Sequence, residues 1–153
     1  MNVLLRLVVL LIGIVALACD PGFVYRPRGW ERMERYEWSK RIDGVEVRTG
    51  TYTDLIGSTD FGPEFEIINS TGEAVVIKDA QLLVKEGRYP VRFSGKGELR
   101  WRSADPGSSA RVSLAWGFDD YATNVLGDRP RIILDLQVGE EEHQLEIEYE
   151  RIK

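Results

Sequence analysis

Two chemically reactive side chains occur once each in this sequence, Cys19 and His143. A hydrolytic triad needs a base beside its nucleophile, but the only imidazole follows three glutamates at 140–142, so we expect His143 at the surface and outside catalysis. A Cys/His zinc site needs four ligands, and copper or haem needs His, Met or Cys ligands. The composition therefore argues against those sites and against a disulfide framework, and we expect no cofactor.

Acid–base chemistry has one further candidate, Asp119-Asp120-Tyr121, which follows the aromatic residues Trp116 and Phe118. Carboxylates beside aromatic rings hold and cleave sugars in glycosidases. Adjacent aspartates point to opposite sides of a strand, so both could face one substrate only where the chain turns. Two interpretations stay open: a glycan hydrolase with either aspartate as the acid, or a loop with a hydrogen-bonded cap. A calcium site is a further hypothesis, through Asp54, Asp60, Asp119 or Asp120.

The four tryptophans fall into two groups. Trp101 and Trp116 stand in the apolar register of predicted strands, so we expect them in the core. Trp30 and Trp38 precede those strands. They are either buried against the edge of the domain or exposed as an aromatic platform that binds a sugar or a protein partner.

The first twenty residues have the anatomy of a signal peptide. A positive charge at Arg6 precedes an apolar run over 7–17, and small Ala18 stands before Cys19. A transmembrane helix needs about 20 apolar residues, and this run is bounded by Arg6 and Asp20. A cleaved signal is therefore favoured over a permanent anchor helix. An ordinary cleaved signal that leaves a free cysteine is the other alternative.

Residues 15–19, VALAC, resemble the lipobox of bacterial lipoproteins, with Ala16 where that family most often has Leu. The resemblance implies that the Cys19 sulfur receives a diacylglycerol, that a peptidase cuts before it, and that its new amino group is acylated, as by palmitate. Each buried CH₂ contributes about 0.8 kcal/mol, so two or more chains anchor stably. Asp20 resembles the residue that retains lipoproteins at the inner membrane of enteric-type bacteria. We therefore expect the periplasmic face of that membrane, with the outer membrane as the alternative.

These features predict three parts of the chain: a signal peptide over 1–18, a lipidated linker over 19–41 and a single domain over 42–153. Basic residues outnumber acidic residues in the linker, whereas acidic residues predominate in the domain. An acidic body repels phosphate backbones, which disfavours nucleic-acid binding.

The linker mixes aromatic and basic residues just beyond the lipidated end. Glu31 and Arg35 are four apart, as in a short helix, whereas Tyr36, Trp38 and Lys40 alternate as in a strand. These aromatic residues either pack onto the domain edge or contact the membrane surface or a partner.

From Asp43 onward, apolar residues alternate with polar ones and turn residues recur about every ten positions, which predicts strands and no helix. Residues 132–138 and 145–149 form the clearest pair, and 63–78 reads as a hairpin. Pro90 predicts an edge or bulged strand. About eight such strands predict an all-β fold, an antiparallel two-sheet sandwich rather than a closed barrel.

The last predicted strand carries a row of carboxylates on the face opposite its apolar side chains, at Glu146, Glu148 and Glu150. Such a row is most simply a solvated face that discourages edge-to-edge association of sheets.

Residues 65–72, FEIINSTG, and the following VVI at 75–77 resemble the strand, Asn- and Gly-containing turn and strand of immunoglobulin-like modules in bacterial envelope proteins. The Cys-Trp-Cys core of antibody domains is absent. The resemblance implies an immunoglobulin-like sandwich whose loops carry recognition. We therefore predict a membrane-anchored envelope lipoprotein that acts as a non-catalytic binding or assembly-support module for an envelope protein. The alternatives are a carboxylate-dependent glycan hydrolase and a carbohydrate-binding protein.

Overall fold

The computed structural model describes residues 21–34, 37–55, 57–91 and 103–153. Cys19, Trp101 and the predicted signal peptide lie outside these ranges. The described chain is mostly antiparallel β-structure, and none of its helical segments has the length and apolarity needed to cross a bilayer. Its elements are β1 (Pro21–Pro27), β2 (Glu31–Arg32), β3 (Glu37–Ile42), β4 (Val45–Gly50), β5 (Tyr52–Leu55), β6 (Asp60–Phe61), β7 (Glu64–Asn69), β8 (Val75–Val84), β9 (Gly87–Pro90), β10 (Ser103–Ala104), β11 (Ser109–Ser113), β12 (Trp116–Gly117), α1 (Ala122–Leu126), β13 (Arg131–Val138) and β14 (Glu141–Arg151).

The larger sheet has seven strands in the order β10-β8-β13-β14-β1-β5, with β9 paired to the far half of β8. The alternating pattern of β13 and β14 is confirmed, because Ile132 lies opposite Ile147 and Leu134 opposite Leu145, all four buried. Pro90 ends β9, whose single neighbour among the described strands is β8, so its predicted edge position is also confirmed.

The smaller sheet has five strands in the order β11-β7-β4-β3-β2. Its inner face buries Val45 and Val47 of β4, Phe65 and Ile67 of β7, and Val112 of β11. The side chains between them point to the opposite, outer face because successive residues of a strand alternate.

The two inner faces share one hydrophobic core, so the fold is an all-β sandwich. The short pair β6 and β12 contributes Phe61 and Trp116, whose rings stack with centroids 5.7 Å apart. The rings of Phe61 and Tyr149 form a T-shaped pair with centroids 6.0 Å apart, and the Tyr149 hydroxyl lies 3.4 Å from the Thr49 hydroxyl of the other sheet. Burial raises the pKa of the Tyr149 phenol, while the hydrogen bond with Thr49 acts in the opposite direction.

The predicted hairpin over 63–78 is wrong, since β7 and β8 belong to different sheets. The turn between them is fixed by Asn69, whose amide nitrogen donates to the carbonyls of Glu73 (2.7 Å) and Ala104 (2.9 Å). Its side-chain oxygen accepts from the backbone and hydroxyl of Thr71. These bonds hold the chain as it crosses from one sheet to the other. The turn residues predicted the reversal, but not the sheet that the next strand joins.

Residues 21–27 already belong to the sandwich, which corrects the predicted linker over 19–41. Strand β1 lies inside the larger sheet between β14 and β5, and β3 pairs along its whole length with β4. Tyr25 is fully buried, and its hydroxyl donates to the carbonyl of Gly127. The sequence does not predict β1 because the strand has a proline at each end, and proline is typical of turns.

Candidate functional site

Trp30 and Trp38, the two residues predicted as a possible exposed aromatic platform, both pack against other residues of the domain. Trp30 is only 7% exposed and belongs to the core, so an exposed Trp30 is excluded. Trp38 is half-buried on the inner side of β3, and its indole nitrogen donates to the Thr51 hydroxyl at 3.4 Å. The Arg26 guanidinium lies over the Trp38 ring, 5.8 Å from its centre. The structure therefore assigns both rings to packing.

The Asp119-Asp120-Tyr121 segment lies in the loop between β12 and α1. The Asp120 carboxylate accepts from the backbone nitrogen of Tyr121 at 2.7 Å and from the Asn124 amide at 3.2 Å. These bonds hold the start of α1, a five-residue helix that the sequence did not predict. Within the described side chains, no three His, Cys, Asp or Glu residues come together as metal ligands, so Asp60, Asp119 and Asp120 are not part of such a group.

His143 lies in β14 and is half-buried, with its side chain 17% exposed, so it is less exposed than the sequence predicted. Its Nδ1 is 3.3 Å from an oxygen of Asp43, in the turn between β3 and β4, and its Nε2 is 3.6 Å from Glu141. The contact with Asp43 joins one sheet to the other. His143 therefore has carboxylates as its polar neighbours and acts as a link between the sheets.

Strand β14 pairs with β13 over 141–148 and with β1 over 149–151, and Arg28 N donates to Glu148 O just beyond β1. The prediction that the carboxylate row protects a free sheet edge is therefore wrong for Glu148 and Glu150, whereas Glu146 is exposed beyond the residues that β1 pairs. Arginines from neighbouring segments meet each carboxylate: Arg131 with Glu146 at 3.1 Å, Arg28 with Glu148 at 3.1 Å and Arg26 with Glu150 at 2.6 Å. The row is a cross-strand ladder of ion pairs.

A charged groove lies on the outer face of the five-stranded sheet and has a volume of about 230 Å³. The strand register places Arg48 opposite Glu66, Glu66 opposite Arg111, and Glu37 opposite Gly50. Because Gly50 has no side chain, the face is open between the charged residues. The groove is lined by Glu37, Arg48, Thr49, Gly50, Glu64, Phe65, Glu66 and Arg111.

A second depression of about 250 Å³ adjoins the charged groove and shares Thr49, Gly50 and Glu64 with it. Its remaining lining is uncharged, from residues 51–53 and 62–63. The surface is therefore elongated, with a charged part over the sheet and a neutral part where β4 leads into β5.

The charges of the groove are not equally mobile. Glu46 beside it is nearly buried, with an 11% exposed side chain, and accepts from Arg48 Nε at 2.6 Å and pairs with Arg41 at 3.1 Å. The hydrogen bond from Arg48 lowers the pKa of Glu46, and the hydrogen bond with Glu46 raises the pKa of Arg48. Arg48 is thus fixed in position. Arg111 is exposed and forms no ion pair with the residues that the structure describes, so it is available to a ligand.

Replacing Glu46 by Gln is expected to lower the free energy of unfolding at pH 7 by about 1–2 kcal/mol, because charge-assisted bonds to both arginines are lost. The pKa of folded Glu46 lies below its ordinary value of 4.5. Its stabilising contribution is therefore complete above that value and is lost as the pH falls through the folded pKa. Urea denaturation of both proteins between pH 7 and pH 3 measures this difference.

The matched control for this prediction is Glu140→Gln, which removes an exposed carboxylate in the turn before β14. We expect its stability at pH 7 to equal that of the unmodified protein. A deficit of Glu46→Gln that stayed constant from pH 7 to pH 3 would contradict the proposed role of the Glu46 charge.

The groove residues are not apparent from the sequence alone. Arg48, Glu66 and Arg111 come from β4, β7 and β11, which are neighbours only through the sheet order. The sequence does show that polar and apolar residues alternate in each strand. Arg48 therefore points to the face away from Val47, and Glu66 to the face away from Ile67. That signal shows which face a residue occupies but not which strand lies beside it.

No protein-family model and no curated protein matches this sequence. Among solved structures, the chain is similar to the crystal structure of a functionally unknown protein from Listeria monocytogenes EGD-e, with a TM-score of 0.52 and 12% sequence identity. The alignment covers 78% of this chain and 87% of that chain. Identity this low shows a shared fold alone. The comparison therefore supports the all-β architecture and gives no information about activity.

Proposed function

We propose that this protein is a bacterial envelope lipoprotein, anchored by acyl chains on Cys19, whose immunoglobulin-like sandwich binds another envelope protein without catalysis. The apolar leader and the VALAC segment support the anchor. The FEIINSTG segment supports the immunoglobulin-like type, because it forms β7 and the start of the turn that links the sheets. Asp20 favours the periplasmic face of the inner membrane, with the outer membrane as the alternative.

The charged groove is the observation that carries the binding function. Three glutamates and two arginines line it, and Arg48 is already committed to Glu46. The groove therefore suits a Lys or Arg side chain between Glu37, Glu64 and Glu66, next to an acidic group that meets Arg111. A polypeptide segment can present a basic side chain and an acidic side chain close together, as this groove requires.

The size of the groove also favours a protein segment. Small-molecule sites usually have volumes of about 300–1,000 Å³ and are mostly apolar. The two depressions are each smaller than that and are arranged side by side over polar strands. An extended chain would place one side chain in the charged part and continue over the neutral part.

The test is crosslinking of the lipidated protein in the membranes of its own bacterium, with the captured partner quantified by mass spectrometry. Replacing Arg111 by Glu sets two carboxylates opposite each other at Glu66. We expect recovery of the partner to fall about tenfold or more, since a loss of 1.4 kcal/mol is a factor of ten in affinity.

The matched control is Arg88→Glu, the same charge reversal at an exposed position of β9 on the other sheet. It should leave recovery unchanged. Circular dichroism shows whether each variant remains folded. Equal recovery with folded Arg111→Glu would remove the groove as the binding surface.

A further inference from the structure

The distance between the predicted anchor and the folded body is very short. Strand β1 begins at Pro21, which is paired with Leu55 of β5, so one residue separates Cys19 from a hydrogen-bonded sheet. A fully extended chain spans at most about 3.6 Å per residue, so the Cα atom of Pro21 lies within about 7 Å of the Cα atom of Cys19. A tether this short cannot let a domain turn freely above the lipid that holds it.

The contacts of β1 identify which end of the sandwich is close to the anchor. Pro21 pairs with Leu55, the last residue of β5, so residues 57–59 lie at the same end of the sandwich as Pro21. The loop before α1 lies there too, because the carbonyl of Ser58 accepts from the backbone nitrogen of Ala122 at 2.8 Å. The backbone nitrogen of Ile152 donates to the carbonyl of Val24 at 2.8 Å. We call the surface formed by residues 57–59, 118–122 and 152–153 the anchor end.

The turns at the opposite end form the far end, which comprises residues 43–44, 70–73 and 139–140. They contact one another, because Ser70 N donates to Gly44 O at 3.0 Å and Gly139 N donates to Ala74 O at 3.3 Å. Strand β14 connects the two ends with 11 residues. At about 3.3 Å per residue the ends are roughly 33 Å apart.

The anchor end carries side chains that suit a bilayer surface. Among the described residues, Tyr121 and Ile152 are two of the three large hydrophobic side chains that are exposed, at 54% and 51%. A tyrosine combines an apolar ring with a polar hydroxyl, which favours the boundary between headgroups and hydrocarbon. Asp119 and Asp120 are exposed beside Tyr121, so the charged groups of this loop stay in the headgroup water.

We propose that the lipidated protein stands with its anchor end against the bilayer, with Tyr121 and Ile152 at the headgroup level and the far end directed away from the membrane. This inference rests on the proposed lipid anchor at Cys19. It adds a lipid contact surface and a fixed orientation to that proposal. It also gives a role to the Asp119-Asp120-Tyr121 loop as a segment next to the membrane.

The test measures the distance of each end from the lipid. One variant carries Thr59→Cys at the anchor end and another carries Glu140→Cys at the far end, both exposed positions labelled with a fluorophore. The lipidated proteins are reconstituted into phosphatidylethanolamine and phosphatidylglycerol vesicles that contain headgroup nitroxide lipids. We expect strong quenching of the fluorophore at position 59 and little quenching at position 140, since nitroxide quenching requires close approach of the lipid headgroup to the fluorophore.

A third protein separates orientation from anchoring. Inserting 20 Gly and Ser residues between Asp20 and Pro21 gives a flexible tether with a typical span of about 25 Å. We expect the quenching at position 59 to fall towards that at position 140. Equal quenching at both positions without the insertion, or no change on insertion, would overturn the proposed orientation.

Mass spectrometry of Cys19 and vesicle flotation are performed on the same samples. Absence of lipid and of flotation would refute the anchor, and the orientation with it. A lipidated, floating protein that shows equal quenching at both ends would refute the orientation alone. The two failures are therefore distinguishable.

Discussion

A protein that begins at residue 42, where the alternating pattern begins, is expected not to fold, whereas one that begins at Asp20 is expected to fold. The shorter protein lacks β1, β2 and β3. Strand β14 then loses its partner β1, and β4 loses its partner β3. Two strands of the sandwich interior would become sheet edges, with their backbone groups open to aggregation.

The size of this effect follows from the buried aromatic residues that are removed. Tyr25 is fully buried and Trp30 is 7% exposed. Truncating a buried large aromatic side chain costs about 3–5 kcal/mol, so these two account for about 6–10 kcal/mol. A typical domain is stable by only about 5–15 kcal/mol, and the lost strand pairing adds to the deficit.

Far-UV circular dichroism and the dispersion of amide proton signals distinguish the two outcomes. The protein covering 20–153 should unfold cooperatively in urea, and the protein covering 42–153 should show no transition. A cooperative transition in the shorter protein would mean that residues before 42 are an appendage, as the sequence pattern implied.

The parts of the fold that the sequence predicted are those with strong local patterns. Ile132 and Leu134 alternate with polar residues over an eight-residue strand, and the partner strand follows after one tight turn. Pairing, register and burial are then consequences of nearby residues. Pro90 predicted an edge for an equally local reason, since it lacks a backbone donor.

The parts that the sequence did not predict depend on residues far apart in the chain. Strand β1 has Arg26 at a position that lies next to Glu150 only after folding, where the two form a 2.6 Å ion pair. Asn69 bonds to Ala104, 35 residues away, and this contact helps to direct the chain into the other sheet. Alternation gives the face of each residue, whereas these pairs are set by the order of strands.

The charged groove illustrates the same division. The sequence places Arg48, Glu66 and Arg111 on polar faces of their strands. It does not show that β4, β7 and β11 are adjacent, or that Gly50 opens the surface between them. A site formed across strands therefore becomes visible only when the sheet order is known.

Replacing Cys19 by Ser is expected to abolish lipidation and, with it, stable attachment through acyl chains. A serine hydroxyl does not supply the thiolate nucleophile that forms the thioether. Even one myristoyl chain gives a membrane association constant on the order of 10⁴ M⁻¹, so loss of all chains should lower detergent partitioning of the processed body at least about a hundredfold. Detergent phase separation and the intact mass measure both effects.

The intact mass also distinguishes two forms of the variant, one that retains residues 1–18 and one that is cleaved and soluble. Asp20→Ser is the matched control, because it changes the adjacent residue but keeps the thiol, and it should remain lipidated. Unchanged detergent partitioning of Cys19→Ser would refute the anchor, and an acyl mass on a different residue would relocate it.

The same variant separates anchoring from binding, because the described sandwich starts at Pro21 and does not include residue 19. The cleaved Cys19→Ser body should keep its fold and its charged groove, so its affinity for an isolated partner should be unchanged. Crosslinking to that partner in the membrane should nevertheless fall, since the anchor raises the effective concentration of two proteins held at one surface. Loss of affinity in solution would instead mean that the lipid itself forms part of the binding surface.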